Sequence, residues 1–181
     1  MFNFFKSKSA ATGPSRVAQV SGVTPERYYD ALLLQLRSST TLGKDSVELI
    51  KGAIGPLARL SGKGDKVDDA LQQVKLVVEG SPKPPKGSDA SRVITMKTMV
   101  NGQPMGQTTT FTFGPAPAGA VAGTFTVTAS VVLQLGGGMA EKFLSAGLRN
   151  KINRELGPSI NPVLIAAGEA CGPGTKVVVS E

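Results

Sequence analysis

Residues 93–113 read VITMKTMVNGQPMGQTTTFTF, and residues 124–135 read TFTVTASVVLQL. In the first stretch Ile94, Met96, Thr98 and Val100 alternate with Val93, Thr95, Lys97 and Met99, and Thr108, Thr110 and Thr112 then alternate with Phe111 and Phe113. In the second, Thr124, Thr126 and Thr128 alternate with Phe125, Val127 and Ala129. A period of two is that of a β-strand, whose successive side chains point to opposite faces. Asn101-Gly102 lies between the first two runs, where a tight hairpin turn requires positive φ angles. Three antiparallel strands follow, with Phe111, Phe113, Phe125 and Val127 turned to a core and the threonines turned away from it.

Toward the C-terminus, Gly136-Gly137-Gly138 ends the strand pattern and a helical one begins. Met139, Phe143, Leu144, Leu148, Ile152 and Leu156 share one side. Gly157-Pro158 predicts its end, and Asn161-Pro162 predicts the start of a second, short helix that runs to Gly172-Pro173. Residues 175–180, with three consecutive valines, predict a last strand, which brings the sheet to about four strands.

Toward the N-terminus, residues 81–91, SPKPPKGSDAS, have the composition of an extended linker. Before them the spacing predicts helices. Thr24 caps a helix with Pro25 in its first turn and Tyr28, Ala31, Leu32 and Leu36 on its apolar face. A second starts near Asp45 or Ser46, with a kink near Pro56. A third follows Asp65 with Val67, Ala70, Leu71, Val74, Val77 and Val78 in one stripe, and stops at Gly80. Residues 1–23 form an arm with a phenylalanine-rich tip. The expected fold class is α+β: a flexible arm (1–23), a helical region (24–80), a linker (81–91), and a mostly antiparallel sheet with one long and one short helix packed on it (92–181).

Composition narrows the chemistry. The 181 residues include no histidine and one cysteine, Cys171. That removes the commonest acid–base group and metal ligand, any intramolecular disulfide, and ordinary zinc, Ser-His-Asp and Cys-His sites. The expectation is a protein that is not an enzyme, needs no cofactor and works in a reducing compartment, cytoplasmic or within a virion-type particle. The first residues carry phenylalanines ahead of lysines, the reverse of a secretory signal, and no apolar run is long enough for a transmembrane segment.

Local clusters have structural readings. Asp65, Asp68 and Asp69 fall in a predicted first helical turn, where acids favour the helix dipole. GEACGPGTK, residues 168–176, lacks the lysine directly after the last glycine and the following helix of a phosphate-binding loop. Gly136-Gly137-Gly138 suits a strand-to-helix corner, and Cys171 reads as a buried small hydrophobe.

Two features point to contacts. Residues 98–140 hold no Asp, Glu, Lys or Arg, although 18% of the chain is charged. Exposed sheet faces and edges normally carry charge against unwanted pairing. Either helices of the same chain cover both faces, or threonine keeps one face wet, or the threonine face or a strand edge meets another copy. The last reading makes the chain a homo-oligomeric structural or assembly protein, a virion, tail or secretion-type subunit, with contacts through Thr108, Thr110, Thr112, Thr124, Thr126 and Thr128 and through the arm residues Phe2, Phe4 and Phe5. Its partners are then itself and other subunits. The formal charge of +7 supports the alternative, an accessory protein on the phosphate backbone of nucleic acid, through Lys6, Lys8, Arg16, Arg149, Lys151 and Arg154.

Overall fold

A computed structural model describes residues 10–38, 74–83, 91–100, 103–134 and 146–181. Within them the chain order is β1 (Ala10–Ser21), α1 (Pro25–Ser38), β2 (Val74–Gly80), β3 (Val93–Val100), β4 (Gln103–Gly114), β5 (Phe125–Gln134), α2 (Ala146–Cys171) and β6 (Lys176–Ser180). The strands form one six-stranded sheet in the order β2-β3-β4-β5-β1-β6, every neighbouring pair antiparallel.

The alternating stretches become the middle of this sheet. Val100 pairs with Gln103, and Asn101-Gly102 between them lies outside the described residues. β4 and β5 pair so that Phe113 faces Val127 and Phe111 faces Ala129, and β1 continues the same surface with Ala18 opposite Val127 and Val20 opposite Phe125. These residues are all buried, on the face where α1 and α2 pack. Helix α1 begins as expected: the Arg27 amide donates to Thr24 Oγ1 at 3.3 Å, and Tyr28, Tyr29, Leu32 and Leu36 are buried. Tyr28 packs edge-on against Phe113 and Phe125, with ring centroids 6.2 and 5.7 Å away. Its hydroxyl donates to the Leu164 carbonyl of α2 at 2.7 Å, which ties the two helices together beneath the sheet.

Four expectations change. The sheet has six strands, not about four. The N-terminal part is not simply helical, because β1 precedes α1 and lies between β5 and β6. Its alternation is hidden by a register shift between Thr12 and Ser15, which contains Gly13 and Pro14. Residues 74–80, read as the end of a helix, are β2: Leu76 and Val78 turn to the covered face while Lys75, Val77 and Glu79 turn away. Seven residues rich in valine fit either period, and pairing with β3 decides. Of the region read as a linker, residues 84–90 lie outside the described residues, and its described ends continue the β2–β3 pairing, with Gly80 opposite Ile94 and the Ser81 amide donating to the Val93 carbonyl at 2.8 Å.

The fourth change concerns the helices after β5. One helix, α2, runs through both Pro158 and Pro162. Each proline removes one helical hydrogen bond, but both lie on the exposed side, where water can satisfy the carbonyl left over. The opposite side, Gly157, Ile160, Leu164, Ala167 and Cys171, is buried and holds the helix against the sheet. Gly157 is not a stop signal here. A Cβ at this position would sit 2.6 Å from Arg16 Nη2, so the glycine lets α2 lie over the arginine. The readings for residues 1–9, 45–60, 65–73 and 136–145, with Asp65, Asp68, Asp69 and the Gly136-Gly138 corner, lie outside the described residues.

Candidate interaction face

Because side chains alternate, the register that buries Phe111, Phe113, Phe125 and Val127 sends their neighbours to the other face. Thr108, Thr110 and Thr112 of β4 and Thr126 and Thr128 of β5 point there, all half-buried, and no described helix packs on them. Thr124 precedes β5, its amide bonded to the Val121 carbonyl at 3.1 Å.

Register extends the threonine set beyond what sequence reading named. Thr95, Thr110, Ser130 and Ser15 stand directly opposite one another across β3, β4, β5 and β1, a row of four hydroxyls. The next row holds Val93, Thr112, Thr128, Val17 and Ser180. Rows of this kind repeat at about 4.8 Å between strands and about 6.8 Å along them. Some hydroxyls are used locally: Ser15 Oγ donates to the Ala129 carbonyl at 3.2 Å and Thr126 Oγ1 to the Pro115 carbonyl at 2.9 Å. Those of Thr95, Thr110, Thr112 and Thr128 make no hydrogen bond within the described residues.

Charge on this face stands at its rim. Lys75, Glu79 and Lys97 lie on β2 and β3, with Lys97 Nζ and Glu79 Oε2 2.6 Å apart, and Lys176 lies on β6. The facing residues of β4, β5 and the paired part of β1 carry none. β4 and β5 are interior strands, so their lack of charge is not an unprotected edge. The edge strands β2 and β6 carry Lys75 and Glu79, and Lys176, and β1 where it runs beyond β6 contains Pro14 and the register shift. At one end of the sheet the loop of residues 115–124, PAPAGAVAGT, adds an uncharged, exposed tip, with Val121 79% exposed.

Of the basic residues read as polyanion contacts, Arg16 is spent internally. Its side chain is 12% exposed, lies under α2 on the covered face and pairs with Glu181 at 3.0 Å. Arg154 is exposed on α2. Arg149 and Lys151 belong to α2 by their backbone, but their side chains, together with Lys6, Lys8, Phe2, Phe4 and Phe5, lie outside what is described.

The remaining reactive groups face inward. Cys171 is buried, its Sγ 3.8 Å from the Arg27 carbonyl, and burial pushes its thiol upward. Burial, with a smaller contribution from Cys171, holds the Tyr28 phenol far above the ordinary tyrosine range. Neither thiolate nor phenolate is favoured there. Among the described residues no group of three acidic or cysteine side chains is placed to hold a metal, and no helix is long and apolar enough to cross a membrane. No family model matches the chain, and no curated protein or solved structure is significantly similar to it.

Proposed function

We propose that this protein is a homo-oligomeric structural or assembly subunit, of virion, tail or secretion type, which acts by contact and not by catalysis. Its open sheet face packs on a second copy. The observation that carries the reading is the distribution of charge: an uncharged centre of threonine, serine and valine, with lysine and glutamate at the rim. Depletion of charge at the centre and polarity at the rim mark protein interfaces. Threonine methyls interdigitate between stacked sheets about 10 Å apart, while unused hydroxyls bond across the gap.

Size sets the strength. A face six strands wide and about six residues tall spans on the order of 500 Å² in projection. A standard interface buries about 800 Å² per partner. The face alone gives a weak pair, and the 115–124 tip and the arm with Phe2, Phe4 and Phe5 are the further contacts that would make a stable particle. This reading requires no cofactor and suits a cytoplasmic or particle-borne setting.

Static light scattering of the purified chain across concentration tests it. The expected mass exceeds that of one chain and returns to it in Thr110→Lys and Thr128→Lys, with unchanged circular dichroism. A parent that stays monomeric at the highest soluble concentration overturns the reading.

The second reading, an accessory protein on the phosphate backbone of nucleic acid, rests on the +7 charge and on exposed Arg154. It requires binding of arbitrary DNA or RNA that weakens steeply with salt. No binding near roughly 50 mM salt removes it.

A further inference from the structure

Tyr29, one residue after the tyrosine that ties the helices, is held on several sides. Its ring is 1% exposed and tilts against Phe113 with centroids 5.3 Å apart. Its hydroxyl lies 3.1 Å from the Ser81 carbonyl and 3.3 Å from the Val93 carbonyl, so its one proton is shared across the base of the β2–β3 hairpin. Gly80 makes room, since a Cβ there would come 2.4 Å from the Tyr29 hydroxyl oxygen. The ring is a fixed plate at the mouth of the hairpin.

Arg92 lies on that plate, its guanidinium carbon 3.3 Å from the ring centroid. Its backbone is pinned too, the carbonyl accepting from the Phe113 amide at 2.9 Å. Among the described residues the guanidinium has no counter-ion: their ion pairs are Arg16–Glu181 and Lys97–Glu79. Nε is buried without a hydrogen-bond partner, and no described residue accepts a hydrogen bond from the terminal nitrogens. Stacking on tyrosine offsets part of the cost of partly burying the cation, but leaves its planar fork of donors unused. A preorganised fork of this kind matches two oxygens of one oxyanion. Lys83, exposed, leaves the same hairpin base two residues after Ser81.

We infer that Arg92, stacked on Tyr29 at the mouth of the β2–β3 hairpin, anchors a binding site for a phosphoryl group. Phosphate is chosen over carboxylate because the net charge of +7 favours multiply charged anions and because Lys83 adds a second cation at the same mouth. Free phosphate, a phosphomonoester and a phosphodiester share this chemistry. The site is independent of the open sheet face, and phosphate binding by a monomer would leave it standing while removing the assembly reading.

The full chain has two tyrosines and no tryptophan, so tyrosine emission reports on the plate directly. Inorganic phosphate, a mononucleotide, a short single-stranded oligonucleotide and acetate are titrated separately at constant ionic strength, followed by that emission and by calorimetry. Saturable binding of phosphate is expected, weakened on the order of tenfold or more in Arg92→Gln. Arg37→Gln removes the same charge from an exposed site in the last turn of α1 and should bind as the parent does. Tighter binding of the mononucleotide or the oligonucleotide assigns the phosphoryl group to an ester. The inference is overturned if no phosphate probe binds at millimolar concentration, if the two variants weaken binding equally, or if acetate binds as tightly as phosphate. Should Arg92→Gln fail to fold, Arg92→Lys keeps a cation over the ring but not the fork, and its undiminished phosphate affinity would equally overturn it.

Discussion

The two faces of this sheet are built by the same strands, often by adjacent residues, and differ in nearly everything but backbone. On one side Phe111, Phe113, Phe125, Val127 and Ala129 are buried against two helices, with Tyr28 and Tyr29 filling the space between. On the other, the intervening threonines and Ser130 remain half-buried with no described helix over them. A core tolerates no unpaired charge because none could be solvated, and Arg16 under α2 is paired with Glu181. The other face has none at its centre although no described helix covers it, and that asymmetry carries the proposed contact. Thr109 and Thr110 make the contrast within one dipeptide. Thr109 is 0% exposed, its hydroxyl accepting from Gln107 Nε2 at 2.8 Å, while Thr110 lies in the hydroxyl row of the open face.

The largest expected effect tests the contrast directly. Thr109→Lys or Phe113→Lys places an unpaired charge in the core, at a cost of several kcal/mol against a total stability of about 5–15 kcal/mol. Either variant should be unfolded by circular dichroism at room temperature. Thr110→Lys should change the denaturation free energy by about 0.5 kcal/mol or less. If the open face meets a second copy, the same variant loses association by tenfold or more, because like charges are pressed together. A Thr110→Lys protein that is as unstable as Thr109→Lys would mean the two faces are equally covered.

How far this contrast could be read from sequence depends on the strand. In β4 and β5 the Thr-Phe and Thr-Val alternation is unbroken, so both the core and the open face were legible residue by residue, and Thr24-Pro25 gave the start of α1. In β1 the extra backbone around Gly13 and Pro14 breaks the period, and two strands that flank it from distant parts of the chain decide its conformation. In β2 a short valine-rich run satisfies both periods. Gly157 and Pro158 looked like a stop because helix breakers are read locally, whereas the packing of Ile160 and Leu164 is not local. The site followed the same logic. Thr95, Ser130 and Ser15 were missed because register sets which hydroxyls stand in line, and Arg16 was read as free although its partner, Glu181, lies 165 residues away. Arg92 carried no signal of its own, since stacking on Tyr29 is a tertiary event.

An intermediate effect probes the covered side through pH. The Tyr28 phenol is held above its ordinary value near 10, chiefly by burial, so its contribution to stability is complete below about pH 10 and falls as pH rises beyond it. Cys171 is displaced in the same direction from about 9, and its decline begins earlier. Urea midpoints should therefore fall from pH 9 to pH 11. Tyr28→Phe should lower the neutral-pH stability by roughly 0.5–1.5 kcal/mol, for the lost bond to Leu164, and flatten the alkaline decline, leaving the part due to Cys171. An unchanged alkaline slope would mean that Tyr28 is not shielded by the helices.

The smallest effect belongs to the rim. Lys97 and Glu79 are 2.6 Å apart with side chains 35% and 58% exposed, so water screens the pair and its worth to an isolated chain is about 0–1 kcal/mol. Glu79→Gln should shift the urea midpoint barely, if at all. The same charges act differently when two copies approach, since rim charges steer encounter and are screened beyond about 10 Å at 0.1 M salt. Removing Glu79 takes the formal charge from +7 to +8 and leaves Lys75 and Lys97 unopposed on that side. Association of the variant should be slower than that of the parent at low salt, and the two should coincide near 1 M salt, where the Debye length falls to about 3 Å. If they differ equally at both salt concentrations, Glu79 is a packed contact and the charged rim is part of the contact's centre.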